Sequence, residues 1–262
     1  MRYTDKLAAR IAETGSRLCV GLDPRFELIP GDPAEFLRRV VEETAPFAAA
    51  FKPNSAYFEQ LGAEGFRLLK TVLALIPRNI PVILDAKRSD IGETQKAYAR
   101  AAFGHFGADA VTLNASLGYD TIEPFLDYPG RAVYLLAVTS NRGAAEFALQ
   151  KLGDGRHLFE HTLDMAARAA GRDTEVGFVV GLTNASAEVM ARVTDAPLLV
   201  PGLGAQGGEI AALGTATRQA PSVINVSRGI LYAEPEASFG EKARRWAGLI
   251  AEQWDAGQRP EL

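Results

Sequence analysis

Pro81-Val82-Ile83-Leu84-Asp85-Ala86-Lys87-Arg88-Ser89-Asp90 holds the fold in miniature. Its first residues are apolar at successive rather than alternate positions, which is what a strand buried on both faces requires. The run then breaks into charge, and a segment of helical spacing follows over 92–106. The same unit recurs along the chain. Apolar runs near 17–22, 47–52, 81–86, 109–113, 132–138, 176–181, 197–201 and 222–226 predict eight strands. Between them, helical spacing covers 33–44, 64–76, 92–106, 158–170, 184–193, 207–219 and 237–254. Asp32-Pro33 supplies an N-cap with proline in the first turn, and Asn184 is placed to cap the helix that follows it. Eight strand–helix units without a linker predict one α/β domain over 1–262, a closed (β/α)8 TIM barrel. An open doubly wound sheet is the competing arrangement. The stretch 139–156, with Asn141, Gly143, Gly153 and Gly155, reads as a long loop, either over a site or a plain surface excursion.

Composition narrows the function classes. Hydrophobic residues make up 47% and charged residues 23%, as in ordinary globular chains. A net charge of −4 argues against general nucleic-acid binding or attachment to acidic membranes, both of which need a basic surface. The lone Cys19, inside Leu18-Cys19-Val20, excludes an internal disulfide and reads as a core residue. No run reaches the roughly 20 apolar residues of a membrane span. The charged start, Met1-Arg2-Tyr3-Thr4-Asp5-Lys6, lacks the apolar core of a signal peptide, so a cytoplasmic location is expected.

Polar groups gather where the strands end. Strand one ends at Asp23, strand two in Lys52-Pro53-Asn54, and strand three in Asp85-Ala86-Lys87 followed by Asp90. The fourth ends at Asn114, the fifth at Thr139-Ser140, the seventh at Pro201-Gly202 and the eighth at Ser227-Arg228-Gly229. In a barrel these positions rise around the C-terminal rim, where barrel enzymes carry their chemistry. Asp85 and Lys87, two apart on a strand, are expected to leave from one face. A buried structural ion pair is the plain reading of them. The chemical reading is a lysine held protonated by carboxylates, with Lys52 gripping Asp85 from the other side.

Pro201-Gly202-Leu203-Gly204-Ala205-Gln206-Gly207 has the G-x-G-x-x-G spacing, but no acidic residue stands about 20 positions on, and a dinucleotide fold is not supported. Loops after strands seven and eight are the usual phosphate site of a barrel. Glycine backbone N–H groups together with Arg228 suit an oxyanion. His157 and His161 have helical zinc spacing without a third ligand, and a solvated helix face is expected there.

Leu84-Asp85-Ala86-Lys87-Arg88-Ser89-Asp90-Ile91-Gly92 resembles the signature of the orotidine 5′-monophosphate decarboxylases. Phe51-Lys52-Pro53-Asn54-Ser55-Ala56-Tyr57-Phe58-Glu59 is similar to their longer bacterial branch, and Val20-Gly21-Leu22-Asp23-Pro24-Arg25 and Asn225-Val226-Ser227-Arg228-Gly229 match too. Ser89 departs from the glycine frequent in that branch. The resemblance implies a reaction without metal or other cofactor on a small pyrimidine nucleotide. Lys87 would protonate C6, Asp85 would face the departing carboxylate, and Lys52 would tie the charges together and, with Asp23, touch the ribose. It implies a homodimer with shared sites, in which Asp90, Ile91 and Thr94 reach the other subunit. Ser140 would meet the pyrimidine, Gln206 would bridge base and phosphate, and Gly202, Gly204 and Arg228 would hold the phosphate. Pro201, Ser227, Gly229, Asn114 and Thr139 complete the expected binding set. Two other readings stay open at this point. One is a metal-dependent sugar-phosphate decarboxylase or aldolase on the same barrel, and the other is a non-catalytic protein that binds a phosphate ligand.

Overall fold

The computed structural model describes residues 1–202, 210–213 and 218–258. Its strands are β1 (Leu18–Leu22), β2 (Ala50–Pro53), β3 (Ile83–Arg88), β4 (Ala110–Leu113), β5 (Ala132–Val138), β6 (Glu175–Val180), β7 (Leu198–Pro201) and β8 (Ser222–Val226). All neighbours are parallel, in the order β2-β1-β8-β7-β6-β5-β4-β3. The two end strands also meet, through the parallel bridges Phe51–Val82 and Asn54–Asp85, and the Phe51 N–H donates to Pro81 O at 3.0 Å. This junction makes the sheet a (β/α)8 barrel and rules out an open sheet. The described helices are α1 (Tyr3–Thr14), α2 (Pro33–Thr44), α3 (Ser55–Glu59), α4 (Gly62–Leu75), α5 (Gly92–Ala99), α6 (Leu158–Arg168), α7 (Ala187–Arg192), α8 (Arg228–Leu231) and α9 (Phe239–Gln258).

Departures from the expected elements have local causes. Ala45-Pro46-Phe47 winds into a 3-10 turn, with proline's missing N–H at its start, so β2 begins at Ala50 rather than at 47. The expected helix over 92–106 is α-helical only to Ala99 and continues as a wider π-helix over Arg100–His105. Asn184 does not cap the helix after it. Its amide donates to the carbonyls of Thr139 at 2.8 Å and Asn141 at 2.9 Å, and Ser186 caps α7 by accepting from the Val189 N–H. Within the expected helix 207–219, the described residues give a 3-10 turn at Ile210–Leu213, while Arg218 and Gln219 are non-helical. Arg218 donates instead to the carbonyls of Thr194 and Ala196. His157 is not on a solvated helix face. It precedes α6, is 8% exposed, lies against Phe159, and its N–H donates to Glu160 at 2.8 Å. Of the two, His161 is the exposed one.

Helix α1, which the strand–helix pattern did not anticipate, stops the N-terminal mouth. Tyr3, Leu7 and Arg10 recur at helical spacing and are buried, and Gly15, at φ 61°, ends the helix in the left-handed region. Tyr3 and Leu7 enter the barrel's inner layer with Cys19, Ala50, Ile83, Ala110, Ala132 and Tyr134. The alanines leave room for the two tyrosines, whose hydroxyls are 3.0 Å apart and whose rings meet edge to face. Gly177 serves the same packing, since a Cβ there would lie 2.5 Å from Pro197 O and 2.9 Å from the Tyr134 ring. Lys6 pins α1 to Asp109 at 2.8 Å. With α1 packed into this end, the barrel's cavity lies at the opposite mouth.

Because each buried tyrosine hydroxyl satisfies the other, Tyr3→Phe and Tyr134→Phe are each expected to destabilise by about 1–3 kcal/mol. The double variant should cost clearly less than the sum of the two, measured by urea unfolding. Additive losses would mean that the hydroxyls do not act as a pair.

Candidate active site

The C-terminal mouth holds a cavity of about 440 Å³. Its polar wall is a line of alternating charge drawn from three adjacent strands. Asp23 follows β1, Lys52 lies on β2, and Asp85 and Lys87 lie on β3. Lys52 Nζ stands 3.9 Å from Asp23 Oδ1 and 2.7 Å from Asp85 Oδ2, and Lys87 Nζ stands 2.6 Å from Asp85 Oδ1. Lys52 is 4% exposed and Asp85 is 8% exposed, whereas 48% of the Lys87 side chain is open to the cavity mouth. The line thus runs from a buried interior to one accessible ammonium.

Burial alone would neutralise these groups, and their mutual attraction reverses that. Desolvation works against the Lys52 charge, but Asp85 and Asp23 outweigh it and hold the ammonium above its ordinary range. Desolvation likewise favours a neutral Asp85, but Lys52 and Lys87 outweigh it and hold the carboxyl well below the usual carboxylate range. Both charges are therefore present at neutral pH.

Asp85 and Lys87 meet, though not by strand alternation. Leu84 pairs with Val111 and Arg88 with Leu113, so four steps along β3 oppose two along β4 and the strand bulges. Lys87 sits on the bulge at φ 48°, a left-handed conformation that side chains other than glycine rarely adopt. Thr112 on β4 fills the gap. Its Oγ1 accepts from the N–H groups of Ala86 at 3.0 Å and Lys87 at 2.9 Å, and its hydroxyl donates to Asp85 Oδ1 at 3.0 Å.

The other expected residues separate into groups. Thr139, Ser140 and Pro201 line the cavity with the charged four. Gly202 follows at φ 29°, whereas Gly204 and Gln206 lie outside the described residues. Ser227 receives a 3.3 Å hydrogen bond from Asn225, and Arg228 opens α8 with an exposed side chain. Gly229 is packed on α9, where a Cβ would lie 2.7 Å from Trp246 Nε1. Asn114 turns its Oδ1 to the Ser116 N–H at 3.1 Å and caps the turn after β4. Asp90 accepts from the Ile91 N–H at 2.8 Å, and neither it nor the exposed Ile91 and Thr94 line the cavity.

Sequence reasoning placed Asn54 at the rim without giving it a role and passed over Thr112, Asn141 and Asn225 as site residues, and all four line the cavity. Thr112 and Asn225 carried a readable signal, a polar residue inside an otherwise apolar run. Asn54 carried only its place at the end of strand two, and Asn141, in a polar loop, carried none. Leu136, Val179 and Leu199 give the cavity an apolar side. One charged wall, one apolar wall and a rim of amides suit a flat, partly apolar ring bearing anionic groups.

Residues 16–243 match the profile of the family described as "Orotidine 5'-phosphate decarboxylase / HUMPS family". The chain is 41% identical over 255 residues to the orotidine 5′-phosphate decarboxylase of Herpetosiphon aurantiacus, covering 94% of this chain and 95% of that one. It is 43% identical to the enzyme of the same name from Thermomicrobium roseum, covering 95% and 94%. Among solved structures, Leishmania donovani OMP decarboxylase superposes with a TM-score of 0.83 at 38% identity, over 98% of this chain and 100% of that one.

The charge line sets a pH window. The depressed Asp85 stabilises the fold above the unfolded carboxylate pKa of about 4, and loses that contribution as pH falls below it. The raised Lys52 contributes fully below about 10.4 and loses it as pH rises further. Lys52→Met should therefore lower stability by about 3–5 kcal/mol across this window. The deficit should shrink as pH drops below about 4, in urea unfolding followed against pH. A deficit that stays constant into acid would contradict the pairing.

Proposed function

Because the chain belongs to the orotidine 5′-phosphate decarboxylase / HUMPS family, its reaction is the decarboxylation of orotidine 5′-monophosphate to uridine 5′-monophosphate and carbon dioxide in pyrimidine biosynthesis, and we propose that Lys87 supplies the proton that completes it. The observation that carries this reading is the charge line ending at Lys87, the one exposed member of a series whose other three are buried or partly buried.

The chemistry follows from that placement. Breaking the bond between C6 and its carboxylate leaves an electron pair on C6 that the ring does not readily delocalise. An ammonium already fixed beside Asp85 stabilises the pair as it develops, without reorganising at the moment of reaction. The N–H bond of Lys87 then breaks, the proton moves to C6, and the resulting amine regains a proton from solvent. Asp85, ionised and nearly dry, would face the substrate carboxylate and be relieved of it as carbon dioxide departs. Lys52 keeps Asp85 charged and, with Asp23, offers partners to the ribose hydroxyls. Asp23 Oδ1 is buried and has no hydrogen-bond partner among the described residues, which suits an acceptor awaiting a ligand donor. Ser140 would meet the base. Gly202, Gly204, Gln206 and Arg228 would serve the phosphate, with Pro201, Thr139, Ser227, Gly229 and Asn114 as further contacts. Phosphate binding would organise the charged end from a distance.

The same reading makes the chain one catalytic domain over 1–262 that works without metal or other cofactor as a cytoplasmic homodimer with shared sites. Asp90, Ile91 and Thr94 would complete the partner's cavity. Ile91 at 63% exposure and the absence of Asp90 from its own cavity support this arrangement. The net charge of −4 speaks against nucleic acid as a partner. No described helix is long and apolar enough to cross a membrane.

Ultraviolet absorbance should report conversion of orotidine 5′-monophosphate by the purified protein in excess EDTA. Turnover that depends on added divalent metal would oppose the cofactor-free reading. Lys87→Ala should lose turnover by at least about 10³-fold while still binding uridine 5′-monophosphate, and retained turnover would remove the lysine from its role. Lys87→Ala mixed with Asp90→Ala should regain activity once subunits exchange. Exchanged but inactive mixtures would count against sites shared between subunits.

A further inference from the structure

Lys87 is held where it is by very little of the usual sheet. On the bulge of β3, four steps of the strand span two of β4, so the regular ladder is interrupted at Ala86 and Lys87. One side-chain oxygen takes both N–H groups. Thr112 Oγ1 accepts from Ala86 and Lys87 at 3.0 and 2.9 Å, and the same hydroxyl donates its proton to Asp85 Oδ1 at 3.0 Å. Thr112 is 1% exposed and lines the cavity on the strand next to the charged one.

We infer that Thr112 is a positioning residue for the decarboxylation: its hydroxyl fixes the left-handed bulge that aims the Lys87 ammonium and orients the Asp85 carboxylate beside it. The inference rests on the reading of Lys87 as proton donor. It does not make Thr112 catalytic, since the residue acts through Asp85 and Lys87.

The residue type fits this task. Two converging N–H groups occupy both lone pairs of a hydroxyl oxygen, which leaves its proton directed to the carboxylate. A carbonyl could accept twice but could not donate. Valine would match the shape and leave two partly buried backbone donors without their partner. Branching at Cβ restricts χ1, so threonine presents the hydroxyl in one direction more strongly than serine does. Without the clamp, Lys87 at φ 48° would relax toward the ordinary β region and carry its ammonium away from Asp85.

Wild-type, Thr112→Val and Thr112→Ser proteins would be compared for kcat on orotidine 5′-monophosphate and for the Kd of uridine 5′-monophosphate. Each kcat is normalised to the sites that the product titrates, which removes any change in folded fraction. A displaced acid should lower kcat of the Val variant about 10- to 100-fold, with the product Kd within about threefold. Restoring the hydroxyl in the Ser variant should bring kcat back to within about fivefold of wild type. A Val variant with kcat near wild type would overturn the inference. So would a Ser variant as slow as Val, or kcat and product affinity falling together. Should the Val variant not fold, Thr112→Cys, a weak hydrogen-bonding side chain, replaces it under the same limits. Failure of wild type to turn over would strike the decarboxylase reading itself and leave the Thr112 geometry aside.

Discussion

Everything at the open mouth depends on keeping two carboxylates and two ammonium groups together in a place with little water. Bringing Lys52 or Asp85 there alone would cost several kcal/mol, and the pair energies offset that only if the partners stand within hydrogen-bond reach. Asp85 meets that condition on both sides, between Lys52 at 2.7 Å and Lys87 at 2.6 Å, while Asp23 stands 3.9 Å from Lys52 and adds charge attraction without a hydrogen bond. The requirement propagates outward. Three consecutive strands must stand in fixed register, and the weakest junction of the barrel, between β2 and β3, is spanned by the Lys52–Asp85 contact itself. The ion pair and barrel closure support one another.

The fold was legible because a doubly buried parallel strand has an unmistakable run of apolar residues, and eight such runs alternate with helical spacing. Helix α1 escaped because it belongs to no strand–helix repeat. Only Tyr3, Leu7 and Arg10 at helical spacing announce it, and three residues are thin evidence. Asn184 shows the limit of local rules. It is a good cap by type, but tertiary contacts with Thr139 and Asn141 claim its amide, and Ser186 two residues on caps in its place.

The site was legible in its charges and much less so in its geometry. Asp23, Lys52, Asp85 and Lys87 stand at strand ends, where a barrel gathers them, and that much follows from position alone. The bulge at Lys87 does not. Nothing in Asp85-Ala86-Lys87 announces a left-handed lysine, because the conformation is imposed by Thr112 from the neighbouring strand, 25 positions away in the chain. Interactions between elements are what a linear reading loses first. The neutral residues that hold charged ones in place are lost with them.

Cys19 has a use that its silence conceals. It is fully buried on β1 in the barrel's inner layer, and burial pushes its thiol up to about 12. A thiol that is neutral and unreachable is inert to alkylating reagents while the barrel is shut. Since this is the single cysteine of the chain, the rate of its modification counts openings of the barrel interior and nothing else. The protein carries its own clock for the breathing of its core.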